Sequence, residues 1–121
     1  MKTGLIWILA LLMGALVPAL MVVLAGYDLG LFQPAFLITF SHMVVLGLPA
    51  LLLYRSLGLT KARWVMLGGF AIGALPSAMF FWDERTSWLD HVQLVGGLGC
   101  LGALGAFTCW LVFRLTGLLP R

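Results

Sequence analysis

Four long apolar stretches, separated by short polar segments, account for almost the whole chain. They run over residues 5–25, 34–54, 64–82 and 88–113. Each is close to the ~20 residues that a helix needs to cross the hydrocarbon core of a bilayer, and only helices satisfy their own backbone within such segments. The short connections force neighbouring helices to run antiparallel. The pattern therefore predicts a single integral membrane domain, residues 1–121, built as an all-α antiparallel bundle of four transmembrane helices.

Basic and acidic residues lie at opposite ends of these apolar stretches. All the bases except Arg85 occupy the start, the middle connection and the end: Lys2, Arg55, Lys61, Arg63, Arg114 and Arg121. The acids occupy the first and third connections: Asp28, Asp83, Glu84 and Asp90. Lys and Arg that flank apolar spans stay in the cytoplasm, so we expect both termini inside. The aromatic residues Trp64, Trp82, Trp88, Trp110, Tyr27 and Tyr54 stand near the predicted interfaces, as such side chains prefer.

Composition supports the same interpretation. The chain is 63% hydrophobic and only 9% charged, whereas a soluble domain carries about 25% charged residues. The formal net charge of +3 is spread over the membrane edges and forms no basic strip, which argues against a nucleic-acid partner. The expected partner is the lipid bilayer itself, through its anionic head groups.

Small residues recur along the third and fourth stretches at spacings that bring helix backbones together. They predict packing contacts at Gly69, Gly73, Ser77, Gly99, Gly102 and Gly105. The fourth stretch has small residues around much of its circumference. One face could pack within the protomer and another against a second copy, so self-association or a membrane-protein partner stays open.

A candidate polar site lies near the membrane midplane. His42 is the one ionisable side chain clearly inside an apolar stretch, which makes it a functional hypothesis by default. It shares a predicted face with Thr39, Leu46 and Pro49. Proline leaves the carbonyl four residues earlier without its amide partner, so the prolines of the first three stretches free the carbonyls of Gly14, Val45 and Ile72. A midplane pocket around His42, Thr39, Pro49, Gly14, Val45 and Ile72 could hold water, a proton or a small solute. The preferred alternative is structural: a neutral His42 holds the bundle together by hydrogen bonding a carbonyl.

The acidic connections suggest no metal site. Asp83, Glu84, Asp90 and His91 match no ligand spacing, and we interpret them as a solvated outer loop. Ser87 is expected to cap the fourth helix together with Asp90. No metal and no cofactor is predicted.

Residues 41–79 resemble a family of small bacterial inner-membrane proteins of uncharacterised activity. The resemblance rests on Ser41-His42-x3-Leu46-Gly47-Leu48-Pro49, Leu57-Gly58, Trp64 and Gly69-Phe70-x-Ile72-Gly73-Ala74-Leu75-Pro76. It implies a bacterial cytoplasmic membrane and four helices, and it implies no activity.

Three functions compete at this point. The first is a non-catalytic membrane component that acts through helix packing, as an accessory, assembly or immunity-type protein. The second is a small transporter or channel for a proton, ion or small solute, with its site around His42. The third is an enzyme acting on lipid or quinone, and we disfavour it because membrane enzymes usually present several inward polar residues.

Overall fold

The computed structural model describes residues 2–26, 28–80 and 87–119. The described residues form four helices: α1 (Lys2–Gly26), α2 (Leu29–Ser56), α3 (Ala62–Phe80) and α4 (Trp88–Leu115). No strand occurs among them. Three of these helices, α1, α2 and α4, are long and apolar enough to cross a membrane. The all-helical class is thus confirmed, and α3 corresponds to the predicted stretch 64–82.

Local signals define the helix ends that the structure describes. The Ser87 hydroxyl accepts a hydrogen bond from the Asp90 backbone N–H (3.2 Å) and donates to its carboxylate (2.6 Å), so the predicted cap of α4 is confirmed. Gly58 and Gly117 follow α2 and α4 with φ of 69° and 76°. In both turns the amide of the residue after the glycine bonds to a carbonyl of the last helical turn: Leu59 to Tyr54 and Leu118 to Phe113. Glycine is preferred there because a side chain is strained at positive φ.

The helices pack unequally. The most extensive interface joins α3 to α4, and α1 contacts α2 and α4 to a similar, smaller extent, whereas α2 and α3 make few contacts. The buried core lies along α1 and α4, around Ala10, Cys109 and Phe113. The α2–α3 side is therefore the open side of the fold. We call it the seam, and it lies between residues Ile38 to Tyr54 of α2 and Val65 to Ser77 of α3.

Helix α2 changes its winding near its middle. Residues Phe32–His42 and Leu48–Ser56 are α-helical, and Met43–Gly47 between them form a π-helical turn. The Leu48 amide accordingly bonds to the Met43 carbonyl, five residues back. A π turn inserts one extra residue and often marks a functional position. It also places Pro49 at the start of a new helical segment, where its missing N–H costs little.

Candidate functional site

A cavity of about 490 Å³ lies behind the seam, and all four helices contribute to its walls. Its walls are almost wholly apolar. The largest share comes from the facing sides of α2 and α3, between Ile38 and Tyr54 on one helix and between Val65 and Ser77 on the other. Cavities of this volume, with few polar groups, are typical of small-molecule sites.

His42 lines this cavity and is half-buried. Its Nδ1 lies 2.9 Å from the Ile38 carbonyl oxygen, one turn back in the same helix. A neutral imidazole that donates from Nδ1 leaves Nε2 as an acceptor. This hydrogen bond therefore joins two residues of α2. It is not the bond between two helices that the structural alternative predicted.

Thr39 lies beside His42 on the cavity wall and joins α2 to α1. Its hydroxyl is 3.1 Å from the Ala15 carbonyl of α1, and 2.8 Å and 3.1 Å from the Ala35 and Phe36 carbonyls of its own helix. A hydroxyl has one proton to donate, so the three carbonyls share it. The cross-helix tie that the sequence assigned to a histidine is made by this threonine.

Gly14 and Ile72 also line the cavity, on α1 and α3. At Gly14 the helices approach closely: a Cβ added there would lie 2.7 Å from the Met43 methyl and 3.1 Å from the Gly105 carbonyl. The Gly14 carbonyl in turn lies 2.7 Å from where a Cβ on Gly105 would stand. The carbonyl freed by Pro18 thus faces the α4 backbone rather than the cavity centre.

Val45 and Pro49 are not brought to the site. Val45, whose carbonyl Pro49 was expected to free, is 66% exposed, Pro49 is exposed, and neither residue lines the cavity. Leu46, predicted on the inward face, is 38% exposed. The π turn explains the difference, because its extra residue rotates the rest of α2 by about one position, roughly 100°. The residues of α2 that line the cavity after His42 are therefore Met43, Gly47, Ala50, Leu51 and Tyr54.

The small residues of α3 and α4 meet at the α3–α4 interface. A Cβ on Gly69 would collide with Ala106 and the Gly102 carbonyl, and one on Gly73 would collide with the Leu98 carbonyl. Gly99 lies under the Phe70 ring, with the nearest ring carbon 2.7 Å from an added Cβ. Gly105 faces α1, as described above. Ser77 is buried and donates within its own helix, to the Gly73 carbonyl at 2.7 Å.

A cluster at the Tyr54 end of the cavity was not predicted as a site. The Tyr54 ring crosses the seam and its hydroxyl rests against Gly68 of α3. Next to it lies a smaller cavity of about 30 Å³, which shares Leu51, Tyr54 and Val65 with the larger one and also includes Arg55. The only sequence signal for this cluster was an aromatic residue at a predicted interface.

Aromatic side chains close this end of the molecule. The Trp110 indole N–H donates to the Thr60 carbonyl between α2 and α3 (2.7 Å). The Arg114 guanidinium stands 5.0 Å above the same ring, and Trp7 packs against Phe113 with ring centroids 4.6 Å apart. These contacts tie the end of α4 to α1 and to the connection before α3.

The acidic residues of the opposite end serve as caps where the structure describes them. The Asp28 carboxylate accepts from the Gly30 amide (2.8 Å), and the Asp90 carboxylate accepts from the hydroxyl of Ser87, the cap of α4. Asp83, Glu84 and Arg85, together with Trp82, Tyr27 and Arg121, lie outside the described residues. Within residues 2–26, 28–80 and 87–119, no group of three or more His, Cys, Asp or Glu side chains could hold a metal ion.

Compared with known protein families, curated proteins and solved structures, the chain matches none. The resemblance of residues 41–79 to small inner-membrane proteins stays a prediction.

Proposed function

We propose that this chain is a four-span protein of a bacterial cytoplasmic membrane with both termini inside. Three helices of sufficient length and apolarity support a membrane location. The described bases fall at the ends where α2 and α4 finish and α1 and α3 begin, and the described acids fall where α2 and α4 begin. That is the distribution expected when Lys and Arg stay in the cytoplasm.

The orientation has a direct test. In a variant whose native cysteines are replaced, Lys61→Cys should react with a membrane-impermeant maleimide only after the cells are opened. Asp28→Cys should react in intact cells. The reverse labelling pattern, or labelling of both positions from outside, would contradict the four-span topology.

Within that membrane, the protein acts as a non-catalytic component that engages a membrane-resident partner at the seam. One observation supports this above the others: α1, α3 and α4 are joined by close small-residue contacts, whereas α2 is held chiefly by α1 and leaves the seam open. Gly47 of α2 lines the cavity, and the three atoms nearest to a Cβ added to it all belong to its own helix. A glycine on a membrane helix often marks a close approach to another helix, and a partner at the seam would supply one here.

The seam can be probed with a pair of adjacent residues. Ile38 lines the cavity and is 59% exposed, while Leu37 is 55% exposed and points about 100° away. A photoreactive residue at position 38 should give one protein adduct of defined mass in native membranes, and the same residue at position 37 should not. Identical adduct patterns from both positions would sink the proposal.

A small transporter is the second candidate, favoured by the half-buried His42 on the cavity wall. Liposomes carrying the protein and an internal pH dye should then show proton entry after an external acid pulse. His42→Gln should abolish this entry. The control is Ser41→Ala, because the Ser41 hydroxyl is exposed and bonds only to the Leu37 carbonyl of its own helix. Equal proton entry in empty liposomes would exclude the proton as substrate.

A further inference from the structure

We propose that the cavity behind the seam holds the single hydrocarbon chain of an amphiphile with an anionic head, and that the head lies beside Arg55. This inference rests on the proposed function, in which a partner binds at the seam, and it identifies the occupant of the cavity behind the seam. Three features of the molecule support it: the length of the cavity, the chemistry of its walls, and the charge at its two ends.

The cavity is long enough for an extended chain. On α3 the lining runs from Val65 to Ser77, which at 1.5 Å per residue is about 18 Å along the bundle. Its volume of about 490 Å³ is that of a small-molecule site. An elongated occupant can therefore contact α2 and α3 along this whole length.

The walls favour hydrocarbon over a polar solute. The polar side chains on the lining are the His42 ring and the hydroxyls of Thr39, Ser77 and Tyr54. Those of Thr39 and Ser77 already bond to backbone carbonyls, at 2.8 Å and 2.7 Å for their shortest contacts. A polar solute would lose its water and recover few hydrogen bonds, which costs free energy. A hydrocarbon chain comes from an equally apolar environment, so it incurs no such desolvation cost, and it makes dispersion contacts with the apolar walls.

The charge at the two ends orients the amphiphile. At the Tyr54 end, the smaller adjoining cavity includes Arg55, and the described bases Lys61 and Arg63 follow within the next connection and the start of α3. The described acids Asp28 and Asp90 stand at the start of α2 and α4, the opposite end. A phosphate or carboxylate head is attracted to the first end and repelled from the second. The Tyr54 hydroxyl, at the edge shared by both cavities, can donate to it.

The test uses hexadecyl phosphate that carries a diazirine in its chain, at trace amounts in phosphatidylcholine vesicles containing the intact protein. After illumination, the adducts on the wild type should map to the cavity faces of α2 and α3. Excess unlabelled hexadecyl phosphate should remove most of the labelling, at least fivefold. Hexadecyltrimethylammonium, which has the same chain and a cationic head, should not.

Variants then separate chain from head. Ala50→Phe fills the cavity from α2, and Arg55→Gln removes the charge, and each should lower labelling several-fold. The matched control is Leu53→Phe, because Leu53 is 57% exposed on the same helix and does not line the cavity. It should label like the wild type. Each variant is first shown to elute as the wild type does on size exclusion.

Three outcomes would overturn the proposal. They are adducts spread evenly over exposed positions such as Leu37 and Val45, equal competition by the cationic amphiphile, and unchanged labelling of Ala50→Phe. The competition experiment uses the wild type alone, so it decides the matter even if a variant fails to fold. If the amphiphile does not label the cavity, the protein adduct at position 38 is still expected. If that adduct is absent, labelling of the cavity by the amphiphile is still expected. The two proposals therefore fail separately.

Discussion

The contact between Gly102 of α4 and Gly69 of α3 allows a quantitative prediction about stability. A Cβ added to Gly102 would collide with the Gly69 carbonyl and lie 3.1 Å from the Gly73 amide nitrogen. Both partners are backbone atoms, so no side chain can rotate away. To restore ordinary contact, the two helices must separate by about 1 Å.

That separation weakens the largest interface of the molecule. A gap of 0.5–1 Å forfeits about a quarter to a half of each dispersion contact it opens, and inserted groups in well-packed interiors typically cost 1–3 kcal/mol. We therefore expect Gly102→Ala to lower the free energy of unfolding by about 2 kcal/mol. The matched control is Gly97→Ala in the same helix, where an added Cβ meets nothing within 4 Å. There the better helix propensity of alanine should leave stability unchanged or raise it by up to about 1 kcal/mol.

The assay is equilibrium unfolding in bicelles with increasing SDS, followed by circular dichroism. The two variants differ from the wild type by the same methyl group in the same helix, so membrane partition and unfolded-state terms largely cancel. The informative quantity is the difference between them, about 2–3 kcal/mol. Equal midpoints for Gly102→Ala and Gly97→Ala would refute the close α3–α4 contact.

Three further predictions concern other parts of the fold. Thr39→Val should lower the free energy of unfolding by about 0.6–1.7 kcal/mol through loss of the bond to α1. Ser41→Ala, whose hydroxyl bonds only within α2, should change it less in the same SDS titration. Gly117→Ala should cost about 1 kcal/mol in that titration, because φ there is 76°; no loss would argue against this turn. A membrane-permeant maleimide should modify exposed Cys100 and spare Cys109, whose thiol is buried and donates to a carbonyl of α1, with mass spectrometry locating the adduct. Preferential modification of Cys109 would contradict the α1–α4 contact.

The sequence alone gave good predictions of local features. The four helices, the Ser87 cap and the all-helical class follow from runs of apolar residues and from a capping residue, and these act within a few residues of chain. The close contact at Gly69, Gly73 and Gly102 was also predictable in kind, because small residues at four-residue spacing bring membrane helices together. The sequence did not predict which helix each small residue would contact, because one face of α4 packs on α3 and another, at Gly105, packs on α1.

The candidate site depended on tertiary structure at two points. The sequence predicted His42 and Thr39 on one face of α2, and both line the cavity. It also predicted Leu46 and Pro49 on that face, and neither lines the cavity. The π turn at Met43–Gly47 rotates those two residues outward. An ideal helical period contains no signal for one inserted residue.

The open seam is the second feature that only the tertiary structure decided. Each helix of this chain has enough apolar surface to pack on any other, and composition cannot rank the pairings. The ranking comes from the fit of particular surfaces: glycine against backbone on the α3–α4 side, and the Thr39 hydroxyl against an α1 carbonyl on the α1–α2 side. The sequence thus determined that the chain is a set of apolar helices, because that property is local. The cavity and the open seam depend on contacts between residues far apart in the chain.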